Sequence, residues 1–115
     1  MINEIITNLL TLDDTPIFWI KNSQEEQHKR YIVFNYTTYP SLYSNDEVIC
    51  QEVEYTYHIV FKNEDVKKHL KFCKELRKKT MADKIMHYFD GNTNSYHAVY
   101  EATFPVWSDE LEDKN

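Results

Sequence analysis

Residues 47–82 read EVICQEVEYTYHIVFKNEDVKKHLKFCKELRKKTMA, and the fold turns on the change of rhythm inside this stretch. Up to Phe61 the pattern alternates. Val53, Tyr55, Tyr57, Ile59 and Phe61 fall on one side of an extended chain and Glu52, Glu54, Thr56 and His58 on the other, the two-residue period of a strand with one buried face. After Asn63 the period lengthens to that of a helix. Val66, Leu70, Cys73, Leu76 and Thr80 fall on one side of a helix expected over 64–82. Asn63 suits its N-cap, and Glu64 and Asp65 suit the positive end of its dipole.

Outward from there, Ile2, Ile5, Ile6, Leu9 and Leu10 share the i, i+3, i+4, i+7 spacing of a first helix over 2–12, which Asp13, Asp14 and Pro16 end. PIFWI (16–20) is short and wholly apolar and reads as a strand covered on both faces. RYIVFNYTTY (30–39) reads as a central strand stopped by Pro40, with SLYSND (41–46) an exposed connection. KIMHYF (84–89) and SYHAVYEATFPVW (95–107) flank DGNTN (90–94), where Asp-Gly tolerates the positive φ of a hairpin turn. Tyr96, Ala98, Tyr100, Ala102 and Phe104 share one face of the last strand. The expected architecture is a single α+β domain over 1–107: a mainly antiparallel or mixed sheet with two helices packed on it, in the order α-β-β-β-α-β-β. An acidic, disordered tail is expected over 108–115.

The chain has 115 residues, 28% charged and 42% hydrophobic, an ordinary globular composition. Nine tyrosines among its aromatics suit half-buried sheet faces and subunit contacts. A single glycine, Gly91, is too few for a phosphate-cradling loop. Cys50 and Cys73, far apart and outside any CxxC, read as reduced buried thiols. Asn3, Glu4, Thr7 and Asn8 interrupt the apolar run from Ile2 to Leu12, which also lacks a basic leader. No stretch nears the roughly 20 apolar residues of a membrane span, so a soluble chain without signal peptide or membrane partner is expected.

No catalytic residue, metal site or cofactor is expected. His58, His87 and His97 fall on strands and could converge on zinc, but surface histidines are the plainer reading. Asp13/Asp14, Glu25/Glu26 and Glu52/Glu54 read as solvated charge, and the serines lack the flanking glycines of a nucleophile elbow. Cys73 reads as core. The formal net charge is -6, yet eight of the 13 basic residues lie between 67 and 84. That run could meet phosphates or an acidic protein. The acidity of the rest argues against sequence-specific nucleic-acid binding.

Four stretches in this order, INEIITNLLTL with TPIFWI, RYIVFNYTTYPSLYSNDEVI, EVEYTYHIVFKNEDVKKHLKFCKELRKKTM and the closing YHAVYEATFPVW, resemble the tail-terminator (tail-completion) proteins of long-tailed, siphovirus-type bacteriophages. The likeness spans nearly the whole chain except the acidic tail. It departs at MADKIMHYFD, where that group often carries glycine. The resemblance implies a non-enzymatic virion assembly protein at the head-proximal end of the tail. Its partners would be further copies of itself in a ring, usually of six, the tail tube protein and the head connector protein. The alternative is a small phage-encoded or accessory protein binding nucleic acid or a host protein through helix 67–84. The expected interface residues are Tyr43, Asp46, Glu52, Glu54, Lys67, Lys71, Lys74 and Lys78. The loops 21–30 and 40–47, with Lys21 and His28 in the first, are expected to be mobile in the free subunit and to order on assembly.

Overall fold

A computed structural model describes residues 1–19, 29–62 and 65–107. Helix α1 (Ile2–Leu10) leads to β1 (Ile17–Trp19), β2 (Arg30–Ser44) and β3 (Glu47–Lys62). Helix α2 (Val66–Thr80), β4 (Asp83–Asp90) and β5 (Ser95–Trp107) follow. This is the expected α+β order. The strands form one mixed sheet in the order β1-β2-β3-β5-β4, antiparallel except that β1 runs parallel to β2.

Register explains the core. Ile32 opposes Ile59, which opposes Ala98; Phe34 opposes Tyr57, which opposes Tyr100. Opposed residues share a face. This face receives Ile6 and Leu10 from α1 and Phe72, Cys73 and Leu76 from α2 in one buried cluster. Its centre is aromatic, with Tyr57 stacked on Tyr100 at 5.4 Å and on Tyr55 at 6.0 Å. The Tyr57 hydroxyl shares a 2.7 Å hydrogen bond with Thr80 Oγ1, which in turn donates to the Leu76 carbonyl at 2.9 Å. The buried Tyr57 phenol is therefore paired, which spares it an uncompensated desolvation cost.

The structure departs from the sequence reading at several points. Pro40 does not stop β2. The strand continues to Ser44 through register shifts between Pro40 and Tyr43, and the expected loop 40–47 is instead the end of a hairpin. Even-numbered β2 residues turn their N–H toward the β1 side, as Ile32 does in donating to Pro16 O at 2.9 Å. On that alternation the N–H that proline lacks would have faced outward, where a strand tolerates it. Asn45 and Asp46, both at positive φ (51° and 66°), close the two-residue turn as an Asn-Gly pair would. Among the described residues β5 pairs with β3 as far as Cys50, and beyond it the tip is a two-stranded ribbon. Sixteen residues of β3 at about 3.3 Å each account for the 53 Å long axis.

The second helix starts at Val66 and is capped by Asp65, whose carboxylate accepts from the Lys67 N–H at 2.8 Å; Asn63 and Glu64 lie outside the described residues. Its buried face is also rotated from the expected one. His69, Phe72, Cys73, Leu76 and Thr80 face inward, while Val66 and Leu70 are exposed. Among the described residues β1 lies at a sheet edge and is not doubly covered, since Trp19 is half exposed and stacks on Tyr36 at 6.1 Å. In the last hairpin Gly91 does not take positive φ; Asn94 does, at 53°. Of the expected loop 21–30, residues 21–28, with Lys21 and His28, lie outside the described residues, as does the expected acidic tail, and Arg30 begins β2.

Lys79 joins the two helices. Its ammonium donates to the carbonyls of Asn8 (3.2 Å) and Thr11, at the C-terminal end of α1 where helix carbonyls lack partners. Lys79→Met is expected to cost about 1 kcal/mol, felt chiefly in α1. Hydrogen exchange checks this: α1 amides should lose roughly five-fold in protection, and unchanged protection there would refute the cap.

Candidate interaction surfaces

Alternation along β3 puts Glu52 and Glu54 on the sheet face opposite the helices, where both are half-buried; Glu52 pairs with Tyr39 and Pro105, and Glu54 with Thr37 and Thr103. Tyr43 and Asp46 sit at the ribbon tip, both exposed. With Glu47, the ribbon's charge is wholly negative. Lys67, Lys71, Lys74 and Lys78, spaced by three or four residues, make one exposed stripe along α2, on the helix-bearing side. The sequence-predicted residues thus form two patches of opposite sign on opposite faces of one sheet.

The stripe borders a cleft of about 400 Å³ lined by Asp13, Arg30, Lys68, Lys71, Phe72 and Glu75. The Arg30 guanidinium lies over the rings of Phe72 (4.7 Å) and Phe61 (5.1 Å), a cation–π clamp that fixes a charge at the cleft wall. Arg30 was not among the expected site residues. Its position beside an aromatic strand is visible in sequence, but its closeness to Phe72 needs the fold. Two of the eight clustered basic residues are committed internally: Lys79 to α1, and Arg77, whose Nε donates to the Ala82 carbonyl at 3.0 Å.

The strand histidines do not converge. His58 and His97 meet on the face opposite the helices, Nε2 to Nδ1 at 2.7 Å, whereas His87 turns to the helix face and shares a 2.7 Å bond with the Tyr100 hydroxyl. Among the described residues no three His, Cys, Asp or Glu side chains are grouped as metal ligands would be. A polar chain runs from His58 through His97 to Ser95 (2.7 Å) and Thr93 (2.6 Å). Ser95 is 1% exposed and already shared between two partners, the setting of a structural hydroxyl.

Burial holds His58 and His69 at about 4, well below the ordinary imidazole value, and lowers His87 and His97 too. Burial pushes the Cys73 thiol up to about 12, and Cys50 and Cys73 are both buried and free. These thiols are core groups, as expected. Among the described residues no helix is long and apolar enough to cross a membrane. Compared with protein-family models and with curated proteins, the chain matches none.

Proposed function

We propose that this chain is a phage virion assembly protein that caps the tail tube and joins it to the head connector, as a ring of like subunits at the head-proximal end of the tail. The observation that carries the reading is the two-patch arrangement: Glu52 and Glu54 on the sheet face opposite the helices, continued by the acidic hairpin tip, and a basic stripe with its cleft on the helix side. A ring needs one heterologous contact repeated until it closes, so each subunit must present two different, complementary surfaces. The acidic side of one subunit, with Asp46 and Glu47 at the ribbon tip and Glu52 and Glu54 on the adjoining sheet face, would meet Lys67, Lys71, Lys74 and Lys78 of the next. Such charges steer register and on-rate more than they add affinity. The sequence resemblance supplies the tail tube and head connector as the remaining partners.

Charge reversal tests it. Lys71→Glu with Lys74→Glu changes two exposed residues and should leave the fold intact. Tubes are expected to overgrow in a tail-assembly reaction containing the double variant, while the wild-type chain stops them at normal length. Normal stopping by a folded variant would remove α2 from the interface. A salt-dependent shift of duplex DNA by the wild-type chain, lost in the same variant, would favour nucleic-acid binding through α2 instead.

A further inference from the structure

The outer strand β4 exposes Ile85, Met86, Tyr88 and Phe89, each between 42% and 51%. It pairs on one side only, with β5, so among the described residues its other edge has no strand beside it. Sheets guard such edges with short strands, prolines, lysines or bulges. The opposite edge has two of these, a three-residue β1 and then Pro40. β4 has Lys84 at one end and a bulge between Lys84 and Met86, followed by an apolar run.

The segment 84–90, KIMHYFD, is its own complement when laid antiparallel on a second copy about His87. Lys84 then opposes Asp90, Ile85 opposes Phe89, Met86 opposes Tyr88, and His87 opposes itself. Both ends carry opposite charges, and every pairing between them is like with like. Faces agree as well. Met86 and Tyr88 lie on the face opposite the helices, across from Val99 and His97, so their cross-copy pairing falls on one face of a continued sheet. Moving the centre one residue toward Met86 sets Lys84 against Tyr88, and one toward Tyr88 sets Asp90 against Met86. Either strands a charge on an apolar ring or thioether, so one register is favoured. The bulge at Ile85 lies at the end of the paired stretch, where it adds twist and spares the central residues.

We infer that two copies of this chain join through β4, antiparallel about His87, into a two-fold dimer with one sheet continuous across both. Such a contact is closed by its two members. It is therefore separate from the repeated contact of a ring and does not rest on the ring reading.

Sedimentation velocity of the full chain over a micromolar concentration series is expected to show a monomer–dimer equilibrium. Met86→Lys, which guards the edge with a charge, should leave a folded monomer. Lys84→Asp and Asp90→Lys each set like charges at both ends and should weaken the dimer about ten-fold, while the two together should restore it. Asp90 Oδ1 also accepts from the Asn92 N–H at 2.9 Å, so each variant's thermal midpoint is measured beside its association. A route independent of those variants is His87→Cys, which places two thiols opposite each other within disulfide reach. Oxidation should link that variant to itself, and Met86→Cys should link only when mixed with Tyr88→Cys. A wild-type chain monomeric throughout the series, a dimer indifferent to Met86→Lys, or a charge swap without recovery would each overturn the inference. A β4 dimer with these properties and no effect on tube length would overturn the ring reading and leave this one standing.

Discussion

The midpoint of urea unfolding is expected to fall steadily as the pH is lowered from about 6.5 to about 4, and to change little in this respect between pH 7 and 8. The cause is histidine burial. His69 is 3% exposed, set edge-on to Phe61 at 4.6 Å and stacked on Tyr96 at 5.4 Å; His58 is bonded to His97. Burial lowers both from 6.5 to about 4 in the folded chain. Between those values the unfolded chain binds protons that the folded chain refuses, so stability is complete above 6.5 and drains away as the pH falls toward 4. Discounted for partial solvent access, each group is worth about 2 kcal/mol. The pair thus represents a large part of the ~5–15 kcal/mol that a domain commands. Circular dichroism at several pH values measures it, with His69→Phe flattening part of the slope. A midpoint constant from pH 6.5 to 4.5 would contradict the burial of these rings.

Phe72→Ala is expected to destabilise by about 3–4 kcal/mol, whereas Leu70→Ala, two residues away, should stay within about 0.5 kcal/mol. Phe72 is 2% exposed, meets Phe61 edge-on at 5.3 Å and floors the Arg30 guanidinium. Leu70 is 51% exposed. The contrast decides the rotation of α2. If Leu70→Ala proves the costlier change, the helix faces the sheet as its apolar residues alone would suggest, and the register described here is wrong.

That contrast also marks where sequence reasoning stops. The alternation of Val53, Tyr55, Tyr57, Ile59 and Phe61 was legible because a strand facing a core has one simple period, and all five are buried. The α2 face departs from the expected one because His69 and Phe72 fill the core where Val66 and Leu70 were expected. His69 stays neutral among aromatic rings and occupies a core position that Leu70 was expected to share. The β2–β3 turn was missed for a related reason: Pro40 signals a stop only where its missing N–H would have been used, and pairing geometry decides that. Of the candidate site, the charges were legible one by one. Their division between two faces of one sheet required knowing which side α2 covers.

The aromatic layer at the heart of the sheet is built from tyrosine and phenylalanine, while both tryptophans, Trp19 and Trp107, stand half exposed at strand ends. Indole emission should therefore shift only modestly when the chain unfolds, because neither ring leaves a dry interior. It should respond instead to whatever settles over the strand ends. In a fluorescence experiment this protein would be a weak reporter of its own denaturation and a sensitive one of company.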